Sequence, residues 1–440
     1  MGRLVVVSNR VPPPRKRTQL AGGLAIGLRD AITGRDTLWF GWSGKQSNST
    51  KLTTAQSGRL GFATVDLTDA QYRGFYRGYS NGMLWPLLHG RPGLSEFRRH
   101  DLEAYLAVNT LFAGVLAEQL RADDVVWVHD YHLIPLGQAL RDAGAGQRLG
   151  FFLHTPFPPP FLFDTLPQGE RLLRSFAAYD VVGTQTRDDA ANLNACLKAA
   201  GVATRAKAFP IGIDPDSFSR DAERAEGGAE DRRLHDSLAD RALILGVDRL
   251  DYTKGLPQRL RGFAQLLARF PEHRGHVSYL QVTPVSRGDV SQYRALRREL
   301  DELAGFINGE HAEFDWVPLH YITRSVPRTT LAGFHRRARV GLVTPLRDGM
   351  NLVAKEYVAA QDPVDPGVLV LSRFAGAASD MRGAILVNPY DPDEIAEAIH
   401  TALTLDKVAR RERWGTMHRA VHTQSAAAWA GAFLAALERE

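Results

Sequence analysis

The segment Gly341-Leu-Val-Thr-Pro-Leu-Arg-Asp-Gly-Met-Asn-Leu-Val-Ala-Lys-Glu356 predicts a short apolar strand over 341–344, a polar turn, and a helix that starts near Leu352. The unpaired N–H groups and the positive dipole end of such a helix favour a bound phosphate or diphosphate. Asp348 and Glu356 cannot bind an anion directly, so we expect them to accept hydrogen bonds from sugar hydroxyls. The competing interpretation is an ordinary strand-to-helix connection in which Asp348 caps the helix.

Short apolar runs followed by helical stretches recur along the chain. Their hydrophobicity is continuous rather than alternating, which is typical of parallel strands covered by helices on both faces. The predicted strands span 4–8, 125–129, 149–154, 181–184, 242–247, 277–283, 340–344, 368–372 and 384–388. A chain of 440 residues is long enough for two such domains. We therefore predict an α/β protein with two doubly wound parallel-sheet domains.

Composition and charge argue against several classes of partner. The formal net charge is +5, and the basic residues are spread along the chain, which favours small anionic ligands over nucleic acid. No apolar run approaches the roughly 20 residues of a membrane span, so we expect no membrane partner. The first apolar run, 4–8, is too short for a signal-peptide core. A single cysteine, Cys196, cannot form an internal disulfide, and we predict a reducing, cytoplasmic location.

Unusual residues follow the predicted strands of the first half, where open parallel sheets bind their ligands. Arg10 follows the first strand, and Ala21-Gly-Gly-Leu24 opens a helix at which paired glycines let backbone amides approach a phosphate. His129-Asp-Tyr-His132 ends a buried strand, and His154 ends the next. Zinc held by His129 and His132 would need a third ligand that the sequence does not indicate. A lone histidine such as His154 is also typical of a buried core group.

The second half carries Asp248-Arg-Leu-Asp-Tyr-Thr-Lys-Gly255 after a strand. The planar fork of Arg249 and the point charge of Lys254, beside a helix start, suit a diphosphate. A solvated pair of Arg249 with Asp251 is the alternative. Arg287 follows a further strand. Aromatic residues that suit a sugar ring, although core packing is their commoner use, are Trp39, Trp42, Tyr76 and Trp85.

Nine motifs, in this order over nearly the whole chain, resemble the trehalose-6-phosphate synthase family. They are Ser8-Asn-Arg10, Ala21-Gly-Gly-Leu24, Leu38-Trp-Phe-Gly-Trp-Ser-Gly44, Leu84-Trp-Pro86, His129-Asp-Tyr-His132, Phe151-Phe-Leu-His-Thr-Pro-Phe-Pro158, Arg249-Leu-Asp-Tyr-Thr-Lys-Gly255, Ser286-Arg-Gly-Asp289 and the segment 344–357. The resemblance implies a GT-B fold, in which two Rossmann-like domains face each other across a cleft. Residues 1–210 and a C-terminal helix, 422–440, would form the acceptor-binding domain, and 211–421 the nucleotide-sugar-binding domain.

The same resemblance implies a configuration-retaining transfer of glucose from a nucleotide-glucose to glucose 6-phosphate, giving trehalose 6-phosphate, with no metal ion or other cofactor. The implied catalytic residues are Asp130, His154, Arg249, Lys254 and Asp348. The implied donor-binding residues are Gly22, Gly23, Arg249, Lys254, Val326, Asp348, Gly349, Met350, Asn351, Leu352 and Glu356. The implied acceptor-binding residues are Arg10, Tyr76, Trp85, Asp130 and Arg287. Within these sets, His154 would hold the 6-hydroxyl of the transferred glucose and Glu356 the ribose hydroxyls.

Two departures from the family pattern leave alternatives open. Val326-Pro327 is not the aromatic-acidic pair of some members, so GDP-glucose stands as an alternative to UDP-glucose, and Arg15-Lys-Arg17 makes the first loop more basic than usual. An enzyme that couples two cyclitols is disfavoured by the intact turn at 348–351. A non-catalytic sensor of sugar phosphate is disfavoured because the charged side chains of the site are all retained. The sequence leaves open whether the chain forms a homo-oligomer.

Overall fold

The computed structural model describes residues 2–11, 28, 34–285 and 291–439. The chain divides into two units: one contains Met1–Ile211 and Ala426–Glu440, and the other contains Gly212–Ser425. Gly22, Gly23, Arg287 and the basic segment 15–17 lie outside the described residues. No described helix combines the length and the apolar character that crossing a bilayer requires.

Unit 1 is built on one twisted sheet. Its described strands are β1 (Leu4–Arg10), β2 (Thr37–Gln46), β3 (Leu52–Ser57), β4 (Leu60–Leu67), β5 (Val125–His129), β6 (Arg148–Phe152), β7 (Val181–Thr184) and β8 (Ala206–Ala208). Their order in the eight-stranded sheet of the described residues is β3-β4-β2-β1-β5-β6-β7-β8. Neighbouring strands are parallel except β3 and β4, which form an antiparallel pair at the edge. The central strand β1 buries Leu4 to Val7 completely, because continuous apolar residues face helices on both sides.

The described helices of unit 1 that precede residue 212 connect the strands of this sheet. They are α1 (Asp69–Gln71), a π-helix (Tyr72–Leu84), α2 (Trp85–Leu88), α3 (Arg99–Ala117), α4 (Leu136–Asp142), α5 (Pro160–Phe163), α6 (Gly169–Ser175) and α7 (Arg187–Ala199), with 3₁₀ turns at Pro92–Leu94, Tyr131–Leu133 and Phe176–Ala178. The π-helix runs directly into α2, so Tyr76 and Trp85, both predicted acceptor residues, lie on one continuous helical segment.

Unit 2 contains a fully parallel sheet. Its described strands are β9 (Ala242–Val247), β10 (Val277–Val282), β11 (Leu319–Ile322), β12 (Val340–Val343), β13 (Val368–Ser372) and β14 (Ile385–Val387). The order is β11-β10-β9-β12-β13-β14, and every pair is parallel. Its helices are α8 (Pro215–Ala225), α9 (Ala229–Leu238), α10 (Leu256–Arg269), α11 (Ser291–His311), α12 (Arg328–Arg337), α13 (Leu352–Ala360), α14 (Pro392–Thr404) and α15 (Lys407–Thr423), with 3₁₀ turns at Tyr252–Lys254, Pro271–His273 and Gly376–Ser379.

The segment 219–240, whose polar composition and lack of an apolar period predict a surface insertion near the domain junction, contains the end of α8 and all of α9. Asp214 caps α8 by accepting a hydrogen bond from the Ser217 N–H, and Pro215 occupies the first turn. Phe218 and Ala222 of α8 are buried, so this helix needs only a narrow apolar face. In α9, Asp231 bonds bidentately to the Arg337 guanidinium at 2.7 Å, which replaces apolar packing by an ion pair.

The last helix, α16 (Ala426–Arg439), belongs to unit 1. It starts four residues later than the predicted 422–440, because α15 continues to Thr423 and only Gln424 and Ser425 separate the two helices. Phe433 stacks on Trp127 of β5 with a centroid distance of 4.7 Å. A Cβ on Gly150 of β6 would come within 2.7 Å of the Phe433 ring, so a glycine is needed at this position.

Candidate active site

In unit 2, the turn between β12 and α13 is fixed by an ion pair. Lys254 Nζ lies 2.6 Å from Asp348 Oδ2, and both side chains are largely buried. Asn351 Nδ2 donates to the same carboxylate oxygen at 3.0 Å, while Asn351 Oδ1 accepts from the Ala354 N–H and caps α13. The helix therefore begins at Leu352 as predicted, but Asn351 rather than Asp348 is its cap. An ammonium group has three N–H donors, so Lys254 can hold Asp348 and an anion together.

The backbone of this turn is also constrained. Asn351 has a φ of 80°, a left-handed conformation that costs about 1–3 kcal/mol and is characteristic of functional sites. The Gly376 N–H donates to the Asp348 carbonyl at 3.1 Å, and the Ala377 N–H donates to the Met350 carbonyl at 2.8 Å. A neighbouring loop thus holds the turn, with Gly349 between the two bonds. The first N–H groups of α13 lack intrahelical acceptors, and apart from that of Ala354, which Asn351 caps, they can donate to a ligand.

The loop after β9 is locked against the loop after β12. The Leu346 N–H donates to the Thr253 carbonyl at 2.8 Å. Gly255 has a φ of 65°, and a Cβ there would lie 2.4 Å from the Thr344 carbonyl oxygen. Only glycine fits this contact, which sets the amino end of α10 beside Lys254. A helix N-terminus, a lysine and a constrained turn together form an anion-binding arrangement.

Arg259 lies beneath this arrangement and is fully buried. Its guanidinium donates to Asp248 Oδ2 at 2.5 Å, to Thr344 Oγ1 at 2.9 Å and to the Lys254 carbonyl at 3.3 Å. It also donates to Gln281 at 3.2 Å. The arginine therefore connects the ends of β9, β10 and β12, and positions the Lys254 backbone without facing a ligand itself.

Arg249 is half-exposed and lies 3.9 Å from the buried carboxylate of Asp251. Asp251 also accepts from the N–H and the hydroxyl of Thr253, both at 3.0 Å, and from the hydroxyl of Tyr293 in α11 at 3.3 Å. The pairing with Asp251 was the alternative to a diphosphate role, and the structure contains it. The pair is long and exposed on the arginine side, which leaves the guanidinium able to turn toward an anion.

Glu356 is half-buried on the second turn of α13. Burial raises the pKa of the Glu356 carboxyl to about 7, and the nearby Arg328 acts in the opposite direction. The carboxyl is therefore close to half-protonated at neutral pH, and a ligand that needs the carboxylate would favour the ionised form. Val326 lies in the connection between β11 and α12, where with Pro327 and Leu280 it lines a cavity of about 420 Å³.

In unit 1, Arg10 and Tyr76 meet at one aromatic ring. The Arg10 guanidinium lies 5.9 Å from the centre of the Trp42 ring, and Tyr76 packs on Trp42 with a centroid distance of 5.7 Å. Tyr76 also stacks on His132 at 5.8 Å and an angle of 11°. A cation and a phenol that contact the same aromatic ring supply the charge and the hydroxyl donor that a phosphate group binds.

Trp85 is part of an adjoining aromatic group. Its ring is 7% exposed and lies 5.6 Å from Tyr131 and 4.1 Å from His89. The Tyr131 hydroxyl donates to Asn81 Oδ1 at 2.9 Å, and Asn81 Nδ2 donates to the Tyr76 carbonyl at 2.7 Å. Trp85 is therefore mainly a buried ring, which is connected to the Tyr76 backbone through Tyr131 and Asn81.

Asp130 and His154 are directly connected. Asp130 has a φ of 77°, and its carboxylate accepts a hydrogen bond from the backbone N–H of His154 at 3.2 Å. The His154 ring contacts His129 through an Nε2–Nδ1 distance of 3.1 Å and Gln185 through an Nδ1–Nε2 distance of 3.2 Å. His129 is thus part of a histidine pair rather than the zinc site considered from the sequence.

The hydrogen bonds fix the tautomers of this pair. Gln185 Oε1 accepts from the Ile211 N–H at 3.0 Å, so the Gln185 amide presents its N–H₂ to His154. His154 must then carry its proton on Nε2 and donate it to His129 Nδ1. Burial lowers the pKa of His154 to about 3, while burial and the adjacent His154 lower the pKa of His129 well below its usual value. Both rings are neutral at neutral pH, and a hydroxyl that binds either nitrogen of His154 must share or displace an existing bond.

The comparisons with known proteins agree with this architecture. Residues 2–439 match the family model described as Glycosyltransferase family 20. The chain belongs to glycosyltransferase family 20. The recognition of the trehalose-6-phosphate synthase family from the sequence motifs is therefore confirmed.

Relatives of this family 20 chain match it over their full length. It is 46% identical to the trehalose-6-phosphate synthase of Sinorhizobium fredii, over 99% of this chain and 98% of that one. The α,α-trehalose-phosphate synthase (UDP-forming) of Burkholderia xenovorans, solved with glucose-6-phosphate, is 43% identical with a TM-score of 0.97, over 99% and 100% of the two chains. The E. coli protein solved with UDP-2-fluoro glucose is 41% identical with a TM-score of 0.94, over 100% and 99%. These matches confirm the predicted GT-B class of two Rossmann-like domains.

Sequence reasoning about this family 20 chain missed two positioning residues. Gln185 directly follows β7, at the carboxyl edge of the sheet, and this position was the available signal. Arg259 gave no local signal, because an arginine one turn into a helix is usually a surface residue. The structure brings together Lys254, Asp348 and Asn351 in unit 2. In unit 1 it groups Arg10 with Tyr76, and Asp130 with His154.

We expect Gln185→Glu to invert the tautomer of His154 in this family 20 chain. The carboxylate can still accept from the Ile211 N–H, but it can only accept at His154 Nδ1, so the imidazole proton should move from Nε2 to Nδ1. The measurement is ¹⁵N NMR of histidine-labelled protein at pH 8, with His154 assigned by comparison with His154→Asn. Gln185→Met is the control: its side chain has a similar length but forms no comparable hydrogen bond with His154 Nδ1. An unprotonated Nδ1 in Gln185→Glu would contradict the deduced hydrogen-bond direction.

Proposed function

We propose that this protein transfers glucose from UDP-glucose to glucose 6-phosphate, forming trehalose 6-phosphate and UDP. The observation that carries the proposal is the full-length similarity to synthases described as UDP-forming and solved with glucose-6-phosphate. The Lys254–Asp348–Asn351 turn supplies the corresponding chemistry in this chain. UDP is proposed over GDP because of these relatives, although Val326-Pro327 differs from the pair expected in some family members.

On the donor side, we assign the diphosphate to Arg249, Lys254 and the amino end of α10. Asp348, with the backbone of Gly349, Met350 and Asn351, would hold the hydroxyls of the transferred glucose next to Leu352. Glu356 would accept from the ribose hydroxyls. Positive side chains and helix N–H groups stabilise a leaving diphosphate as charge develops, so the proposed reaction uses no metal ion or other cofactor.

On the acceptor side, we assign the phosphate to Arg10 and Tyr76, together with Arg287, and the sugar ring to Trp85 and Asp130. A remote phosphate provides binding energy that orients the reacting hydroxyl. These small, polar substrates and the single cysteine are in keeping with a cytoplasmic location.

We further propose that transfer retains the anomeric configuration without a covalent intermediate. Nucleotide-glucose donors are α-linked, and the product in the relatives' names is α,α-trehalose phosphate. Asp348 is occupied by Lys254 and Asn351, which makes it a poor nucleophile. The acceptor's anomeric hydroxyl would attack from the face that the diphosphate leaves. The C1–O bond to phosphate breaks, the new C1–O bond forms, and a diphosphate oxygen takes the proton. Asp130 and His154 would orient the sugars.

The proposed reaction can be tested with UDP-, GDP- and ADP-glucose, each incubated with glucose 6-phosphate and the products identified by NMR. We expect an α,α-linked product, fastest turnover with UDP-glucose, and a lower kcat as well as a higher KM when glucose replaces glucose 6-phosphate. No disaccharide phosphate with any donor would contradict the assignment. A product formed only with GDP-glucose would correct the base.

Lys254→Gln should lower kcat by ~100-fold, or ~3 kcal/mol of transition-state stabilisation, because the positive charge at the leaving group is lost. The amide can still bond to Asp348, so the turn should keep its shape. Arg261→Gln, an exposed change on α10, the helix that follows the Lys254 turn, is the matched control and should stay within about twofold. Rates are measured after EDTA treatment, with and without added magnesium. A Lys254→Gln rate close to wild type, or wild-type activity that requires magnesium, would remove Lys254 from this role.

A slow fluorinated donor should leave no hexosyl group on the protein. Mass spectrometry of the intact chain and of its peptides after incubation with UDP-2-fluoro glucose makes this measurement. His154→Ala should lower turnover but retain residual transfer, because the diphosphate contacts remain. A stable adduct on Asp130, Asp348 or Glu356 would replace the proposed mechanism by double displacement.

A further inference from the structure

Three metal-ligating side chains gather at the edge of unit 2 opposite the donor residues. Glu272 and His273 lie in the 3₁₀ turn Pro271–His273 that follows α10, and His400 lies in the last turns of α14. The turn precedes β10, so the group lies at the amino ends of the strands. Lys254 and Asp348 follow the carboxyl ends. The six residues of β9 span about 20 Å between the two edges.

The distances within this group match a tetrahedral metal site. Zinc–nitrogen bonds of 2.0–2.1 Å at tetrahedral angles place two ligand atoms about 3.3 Å apart. His273 Nε2 and His400 Nδ1 are 3.0 Å apart, and His400 Nδ1 is 3.7 Å from Glu272 Oε1. All three ligand atoms lie within 4.8 Å of one another, and this is the one such group of three within the described part of the chain.

The two imidazoles are held in place by their surroundings. His273 is 8% exposed, and the His400 ring stacks on Phe270 with a centroid distance of 4.1 Å and an angle of 12°. Arg269, at the end of α10, forms ion pairs with Asp393 and Glu397 of α14 at 3.1 and 2.7 Å. These contacts fix α10 against α14, so little freedom is lost when an ion binds.

We propose that Glu272, His273 and His400 bind one zinc ion, with water in the fourth position. Two imidazoles and one carboxylate form a borderline ligand set that suits zinc better than magnesium or calcium. Without an ion, one of the two imidazoles donates a hydrogen bond from its ring N–H to the nitrogen of the other. When zinc binds, the proton of that N–H moves to the second nitrogen of the same ring. Zinc then replaces the hydrogen bond and joins the 3₁₀ turn after α10 to α14 through metal–ligand bonds. The site lies apart from the proposed reaction and acts on the stability of unit 2.

The test is zinc titration of the full chain, stripped with EDTA and exchanged into chelator-free buffer, by calorimetry. We expect one tight site per chain, a visible absorption band of tetrahedral cobalt when Co²⁺ replaces zinc, and a rise in Tm of ~3 °C at 100-fold excess over Kd. His400→Gln should weaken zinc binding by at least ~100-fold, more than the loss of a group that only supports a ligand. Glu272→Gln, a change of a largely exposed side chain, gives a second variant that does not disturb the core.

The matched control is the double variant His418→Gln, His422→Gln. These histidines form an adjacent pair on α15, with ring centroids 4.1 Å apart. Asp216 lies 3.2 Å from His422 Nε2, but the ligand atoms of these three residues do not all lie within 4.8 Å of one another. We expect the tight site and the cobalt band to persist in this control. Glucosyl transfer should be unchanged in His400→Gln. Absence of a saturable site in the wild type, or a site lost in the control but kept in His400→Gln and Glu272→Gln, would overturn the proposal and leave the contact as a histidine–histidine hydrogen bond.

Discussion

The buried guanidinium of Arg259 is the interaction on which the donor half of the molecule depends. A charge removed from water is tolerated only when its donors are paired, and this one bonds to the ends of three strands and to the Lys254 carbonyl. The loops after β9 and β12 would otherwise be two independent polar segments. Because both are attached to the same planar group, the Lys254 ammonium and the Asp348 carboxylate reach one another at 2.6 Å.

Unit 1 reaches a comparable rigidity by a different route. Its polar residues are connected by neutral hydrogen bonds that run from the Ile211 backbone through Gln185 and His154 to His129. Burial keeps both imidazoles uncharged, so the chain of bonds has one direction and no titration near neutral pH. The Asp130 carboxylate accepts a hydrogen bond from the His154 backbone N–H, and Asp130 itself has a backbone φ of 77°. The two halves thus share a principle, in which a hidden residue positions an accessible one.

The sequence predicted what depends on short-range pattern and missed what depends on partners distant in the chain. The turn at Asp348 and the start of α13 follow from an apolar strand and a capping residue, so both could be predicted. The competing interpretation, in which Asp348 caps the helix, was wrong, because Asp348 pairs with Lys254 of another loop and Asn351 is the cap. The helix α9 within 219–240 was not predicted, because it is anchored to Arg337 by an ion pair rather than by an apolar stripe. The strand β3 escaped for a similar reason, since nearly all of its side chains are exposed. Gln185 bonds to the Ile211 backbone and the His154 ring, and Arg259 to side chains at the ends of three strands; no local sequence pattern identifies these partners.

The docking of Phe433 against Trp127 and beside Gly150 has a consequence for how the chain is made. The Arg148 guanidinium bonds to the Leu437 carbonyl across 289 residues of sequence, so unit 1 cannot close its core until the final helix has been synthesised. At 5–20 residues per second, a ribosome takes about 15–60 s to cover that distance, while the residues of unit 2 are all available earlier. The first unit in the sequence is therefore the last to finish folding. Until then, the apolar surface of β5 and β6 that Phe433 covers is exposed to solvent on the nascent chain.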